Sequence, residues 1–292
     1  MSAVHDDMVS RPGSAVSLLR TVVGLYMRDA GGWLPTAVLM GALATLEVPA
    51  AQARTAISRV KQRGLLVAEQ HDGGPGFALA PGAAAMLSRG DGRIRQPRSM
   101  SAGDPWCLIS FSIPESERGR RHQLRRQLQW IGCGTVDPGL WICPDFLRPD
   151  VEQILADLDL REQAVLFTTS QPHPGVPLRE LVASWWDLPA LAQLHTDFLE
   201  QNTAVAGAAV GPSAETFAQF VRCLDTWRPI PYLDPGLPAD VLPAGWPGAS
   251  SAGLFLALRE SHAEPAATYF RQLSAMVAGA GHAPANQSFV RN

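Results

Sequence analysis

Lysine is nearly absent from this 292-residue chain: Lys61 stands alone, and arginine carries the remaining positive charge. Such a bias points to genome composition rather than to chemistry. Cysteine is scarce as well. Cys107, Cys133, Cys143 and Cys223 form no C-x-x-C pair and have no histidine at finger spacing, which excludes a disulfide framework and a zinc module. A reduced, cytosolic compartment follows as the expectation. No long apolar run survives inspection. Residues 30–46 and 241–258 are uncharged, but each is broken by glycine and proline, so neither is a membrane span. The first residues, MSAVHDDMVS, are acidic and polar, unlike a secretory signal. Catalytic signatures are missing too. There is no G-x-S-x-G, no G-x-x-x-x-G-K-[ST] and no H-E-x-x-H. The seven histidines (His5, His71, His122, His173, His195, His262, His282) are scattered. No cofactor, no metal and no enzymatic activity are expected.

What is present is ordinary globular material: 46% hydrophobic and 17% charged residues, with 26 Gly and 24 Pro that follow no period. The length fits two or three domains. The net charge of −3 hides an asymmetry. Residues 1–98 hold 11 basic and 7 acidic side chains, the rest 13 and 20. A basic N-terminal unit on an acidic body suits a DNA-reading head on a sensor.

The pattern along the chain supports that division. Residues 1–13 read as disordered. Ser14 is placed to cap a helix bearing Leu18, Leu19, Val22, Leu25 and Tyr26, which Gly31 and Gly32 end. A short extended Trp33–Pro35 leads to a second helix with Val38, Leu39, Leu43 and Leu46 on one face. After a tight turn at Glu47, Pro49 starts a third helix that Gly64 stops. LLVAEQ, HDGGPG and FALA read as a hairpin, and PGAAAMLSRG as one more short helix. The expectation for residues 14–90 is a winged helix-turn-helix domain. Residues 91–104 read as a solvated linker. Residues 105–172 read βαββαβ, a ferredoxin-like unit. Residues 178–280 read as a helical C-terminal domain for effector binding and dimerisation, with helices interrupted at Pro189 and Pro265, and 281–292 as a tail. The fold class is α+β and multidomain.

Chemistry concentrates in the third helix, VPAAQARTAISRVKQRG. Ala53, Ala56, Ile57 and Val60 fall on one face. Gln52, Arg54, Thr55, Ser58, Arg59, Gln62 and Arg63 occupy the rest, with no acidic residue. An exposed helix usually mixes signs. This set instead suits the major groove, where Arg forks onto guanine, Gln pairs with adenine, and hydroxyls reach phosphate or base. We assign Gln52, Arg54, Thr55, Ser58 and Arg59 to groove readout, and Lys61 and Arg63 to phosphates. The wing carries His71 and Asp72 and no cation, so its share of DNA affinity is small. The densest basic run, RGRRHQLRR (118–126), reads as a solvated helix face. Trp185, Trp186, His195, Phe198, Phe220, Trp227 and Tyr232 form an aromatic-rich set among helices, as in many small-molecule pockets.

These motifs, taken in order, resemble the PaaX family of bacterial transcriptional repressors, named for phenylacetate catabolism. The matching residues are Gly31, Gly32 and Trp33; ARTAISR (53–59) with Gly64; FSIPE (111–115), Arg118, Leu124 and Arg125; GLWICP (139–144); Trp186–Leu188; DPGLP (234–238); Leu242 and Pro243; and GWPG (245–248). The resemblance spans residues 14–275. It implies a winged-helix head, a central domain like the ferredoxin-like CRISPR-associated nuclease subunits but without a nuclease's acidic ligand, and a helical C-terminal domain. It also implies a homodimer on palindromic double-stranded operator DNA, released by an aryl-CoA thioester. A thioester needs cations for its phosphates and an apolar slot for its acyl part, for which Arg179, Arg222 and Arg228 beside Trp185 and Trp227 are the candidates. One stretch departs from the family: Asp225 and Pro229 stand where a His and a second Arg are usual, so the effector differs if that stretch binds it. Two rival readings are an enzyme hydrolysing nucleic acid or CoA thioesters, and a scaffold whose winged helix binds protein.

Overall fold

The computed structural model describes residues 10–71, 74–170, 172 and 175–280. The expectations for residues 1–9, Asp72 and the 281–292 tail lie outside them. Among the described residues no helix is long and apolar enough to cross a membrane. The chain is mixed α and β, with two antiparallel sheets. It divides into two compact units. One comprises the described parts of Asp6–Ser88, Ala208–Asp225 and Leu258–Asn292; the other comprises Arg89–Gly207 with Thr226–Ala257.

In the first unit, Ser14 Oγ accepts the Ser17 amide and starts α1 (Ala15–Val22). The ladder then widens into a π-helical turn over Val23–Met27, keeping Val23, Tyr26 and Met27 buried. The chain reverses at Gly31 and Gly32, both left-handed, and enters β1 (Trp33–Pro35). Then come α2 (Thr36–Thr45), α3 (Ala50–Gln62), β2 (Leu66–His71) and β3 (Gly74–Leu79). The small sheet has the order β1-β3-β2, with Leu34 opposite Phe77 and Ala68 opposite Phe77 on the other side. Gly76 permits this pairing, because a Cβ there would lie 2.5 Å from both the Leu34 carbonyl and the Trp33 ring. Trp33 in turn stacks on His71, their centroids 4.4 Å apart. The fourth helix, α4 (Ala83–Arg95), runs past the expected end at Gly90, since Arg93 is anchored: it donates to the Pro231 and Ile131 carbonyls and lies over the Tyr232 ring.

The second unit is built on β4 (Trp106–Phe111), α5 (Arg118–Trp130), β5 (Gly134–Asp137), β6 (Leu140–Pro144), α6 (Arg148–Asp157) and β7 (Ala164–Thr169). The sheet order is β5-β6-β4-β7. One face (Cys107, Ile109, Phe111, Trp141, Cys143) is covered by Leu124 and Leu128 of α5 and by Val151 and Leu155 of α6. Trp106 and Ile142 of the opposite face pack against Trp186, Val182, Leu237 and Leu242. Gly134 lets the Trp186 ring lie on the strand, and Trp186 Nε1 donates to the Gly132 carbonyl at 2.8 Å. The segment read as a solvated linker is tied down at Met100, which is buried and whose N–H donates to the Gly236 carbonyl at 2.7 Å. A Cβ on Gly236 would strike the Arg98 carbonyl at 2.1 Å, so that close approach requires glycine.

Helices α7 (Leu178–Trp185) and α8 (Leu188–Asn202) are split at Asp187, whose side chain caps α8 by accepting from the Ala190 amide, with Pro189 in the first turn. Then follow α9 (Ala214–Trp227), α10 (Ile230–Leu233) and α11 (Gly248–Ala280). The expected break at Pro265 does not occur, because α11 passes through it. Proline forfeits one ladder bond, but the buried His262, Ala266 and Phe270 keep the chain on both sides of it on one packed face.

Candidate DNA interface

The geometry of α3 separates its two faces cleanly. Ala53, Ala56, Ile57 and Val60 are at most 5% exposed and hold the helix in its unit. Gln52, Arg54, Thr55, Ser58, Arg59, Lys61 and Gln62 are all exposed; Arg63, at the C-cap, is half-buried. Among the described residues Arg54, Arg59 and Lys61 make no ion pair, so three cations and four uncharged polar side chains (Gln52, Thr55, Ser58 and Gln62) face solvent on a helix that carries no acid. Thr55 Oγ1 donates to the Ala51 carbonyl and Arg63 Nη1 to Ser10 Oγ. The structure thus brings the expected groove-reading residues onto one open surface and sets Arg63 at its margin. On β2, His71 Nε2 meets Glu69 Oε1 at 2.7 Å, an exposed pair that adds no net cation to the hairpin.

The other basic run resolves differently. On α5, Arg120 donates to the Leu158 and Asp159 carbonyls and to Glu117. Arg121 donates to the Ile113 carbonyl and Glu115, and Arg125 to the Pro138 carbonyl. These three guanidinium groups hold loops in place, whereas Arg118, His122 and Arg126, at i, i+4 and i+8 of the same helix, are exposed.

The residues expected at an effector site are distributed. Arg179, exposed on α7, donates to the Asp240 carbonyl at 3.1 Å. Trp185, half-buried, meets Trp186 edge-on. Trp227 is 1% exposed, stacks on Phe255 at 4.6 Å and donates from Nε1 to the Ile94 carbonyl. Arg228 beside it is buried. Arg222 falls in the unit that contains α3, where its Nη2 donates to Glu47 Oε2 at 2.7 Å and to the Leu46 carbonyl.

Two buried polar clusters escaped sequence reasoning. Asp225, fully buried, accepts from the Gly13 amide at 2.7 Å, Ser17 Oγ at 2.6 Å and Thr21 Oγ1 at 2.8 Å, which ties α9 to the start of α1. His195 sits between Asp234 Oδ2 (2.7 Å from Nε2) and Ser251 Oγ (2.5 Å from Nδ1), with Trp246 edge-on to its ring. The DPGLP and GWPG segments therefore converge on one histidine. Asp234 Oδ1 also accepts the Gly236 amide, fixing the turn that meets Met100. Ser251 is fully buried, so this Ser–His–Asp row is a tie within the unit. Apart from these two, the thiols of Cys107, Cys133 and Cys143 gather on the helix-covered face of the larger sheet. Cys107 lies opposite Cys143 across β4 and β6. Its thiol is pushed up by the bond to Cys143 and by burial. The Cys107 bond works to lower Cys143, but the Cys133 contact and burial outweigh it and raise that thiol too.

Two antiparallel sheets and a helix with an open cationic face thus belong to a mixed α+β, multidomain protein. Comparison with known families is specific. The description "PaaX-like protein" matches residues 14–80, "PaaX protein central Cas2-like domain" residues 99–181, and "PaaX-like protein C-terminal domain" residues 186–272. The chain belongs to the PaaX family. It is 22% identical over 289 residues to the transcriptional repressor PaaX of Escherichia coli K12, covering 96% of this chain and 90% of that protein. A solved structure of an uncharacterized protein from Mycobacterium tuberculosis shares the fold, with a TM-score of 0.53 and 23% identity over 88% of this chain and 97% of that one.

Proposed function

We propose that this chain is a transcriptional repressor that binds double-stranded operator DNA as a homodimer, acts in the cytoplasm and performs no catalysis. The observation that carries the reading is the open face of α3: Arg54, Arg59 and Lys61 without acidic partners beside Gln52, Thr55 and Ser58, in a chain related to a named repressor. In this reading residues 14–90 are a winged helix-turn-helix, with α3 in the major groove and the β1-β3-β2 sheet as the wing. Residues 105–172 are the ferredoxin-like centre, and the helices of 178–280 serve effector binding and dimerisation.

The effector we propose is an aryl- or acyl-CoA thioester. Of the five candidates, Arg179 and Trp185 offer the accessible combination of cation and apolar surface. Trp227 and Arg228 are buried, and Arg222 is engaged at Glu47. The test is retention of DNA from upstream of its own and neighbouring genes at about 150 mM salt, with and without a panel of acyl- and aryl-CoA thioesters. Footprinted binding released by one thioester supports the whole reading. Specific binding that no thioester alters keeps the repressor and removes the effector. No specific binding removes the repressor and favours a protein-binding scaffold.

A further inference from the structure

Glu47, in the turn between α2 and α3, has φ +61. A residue with a Cβ is strained in left-handed backbone, and the position after a helix end ordinarily takes Gly or Asn. The turn itself makes no demand for a carboxylate. The Glu47 amide donates to the Ala44 carbonyl at 2.9 Å and the Val48 amide to the Leu43 carbonyl at 3.0 Å, bonds that glycine would make without strain. What glycine would lack is the acceptor for Arg222, whose Nη2 donates at 2.7 Å to Glu47 Oε2 and at 3.2 Å to the Leu46 carbonyl. Arg222 therefore engages the turn through both side chain and backbone. It projects from α9, and α9 is fixed to α1 one turn later through Asp225. Two residues beyond Glu47, Pro49 opens α3.

We infer that Arg222 and Glu47 are positioning residues for the DNA interface: the pair sets the turn that delivers α3, so that α9 governs DNA affinity without touching DNA. The inference rests on the repressor reading above. The Glu47 side chain is 82% exposed and that of Arg222 47%, and exposed pairs add little to stability, so the role is separable from folding.

The experiment uses the full chain as wild type, Glu47→Gly, Glu47→Gln, Arg222→Ala and the Glu47→Gly/Arg222→Ala double, on the upstream DNA fragments, with a salt titration and thermal melts. If the wild type retains no fragment, the repressor reading fails and takes this inference with it. Given a retained fragment, the unit that carries α3 is expected in Glu47→Gly to melt at or above its wild-type temperature, since glycine relieves the left-handed backbone. It is also expected to bind about three- to fivefold more weakly, the most an exposed pair can supply, with an unchanged salt slope because no phosphate contact is lost. Glu47→Gln should fall between. Arg222→Ala should match Glu47→Gly, and the double should be no weaker than either single, as for two ends of one contact. Glu47→Gly affinity within about twofold of wild type would overturn the inference. So would a melting temperature that falls with affinity, or a salt slope reduced by about one in Arg222→Ala, the mark of a direct phosphate contact.

Discussion

Replacing Asp225 with alanine removes a buried carboxylate that receives the Gly13 amide just before α1 and two hydroxyls, of Ser17 and Thr21, from α1 itself. The three donors would not suffer equally. Ser17 and Thr21 lie on a helix and can turn to a carbonyl of the preceding turn, as Thr45, Thr55 and Thr196 do. Gly13 precedes the helix, and its amide has no such alternative. The expected cost is one orphaned amide, about 1–3 kcal/mol, plus the loss of two charge-assisted bonds, for a total of about 2–4 kcal/mol. Asp225→Asn keeps an acceptor for Gly13 but turns an NH2 toward a hydroxyl, and should cost about half as much. Because the chain has two compact units, a single global transition is not the right readout. Hydrogen exchange of amides in α1 and α9 reports the affected unit directly. A cost below about 0.5 kcal/mol for Asp225→Ala, or a larger cost for the asparagine, would refute the assignment of Asp225 as the tie between the helices.

Arg59→Ala should weaken operator binding by about 1–3 kcal/mol and relax sequence preference, measured by competition among operator variants. Gly76→Ala should lower the melting temperature of the unit containing α3, because a backbone carbonyl 2.5 Å from the new Cβ cannot step aside. Burial lowers the pKa of His262 from its ordinary 6.5, so the unfolded chain binds more protons just below that value. Stability is then fully present above about pH 6.5 and falls as the pH drops through that value toward the folded pKa; urea titrations should show this slope diminished in His262→Leu.

The helices, the hairpin and both faces of α3 were legible because each depends on local pattern: Ala53, Ala56, Ile57 and Val60 recur at helical spacing, and Ser14 and Gly64 mark ends. Roles that depend on distant partners were not legible. Arg222 resembled an effector ligand because Glu47 lies 175 residues away in sequence. Asp225 looked like a family departure, and only its contacts 204 to 212 residues upstream disclose a buried tie. Arg120, Arg121 and Arg125 of α5 showed charge, whereas their acceptors are mostly carbonyls such as those of Leu158 and Pro138, which no sequence pattern marks. At Pro265 a local rule yielded to the packing of Ala266 and Phe270.

The burial of every cysteine makes the chain its own reporter of motion. Burial raises the Cys223 thiol to about 12, and Cys107 and Cys143 are raised as well, so these three hold little reactive thiolate in the native state, while Cys133 is shielded by its burial. An alkylating reagent can therefore modify them only when the structure opens. Cys223 belongs to the unit that carries α3, and Cys107, Cys133 and Cys143 to the other. Pulse labelling followed by peptide mass spectrometry would time the opening of each unit separately in the unmodified protein, with no engineered probe, and would show whether bound DNA slows the clock at Cys223 alone.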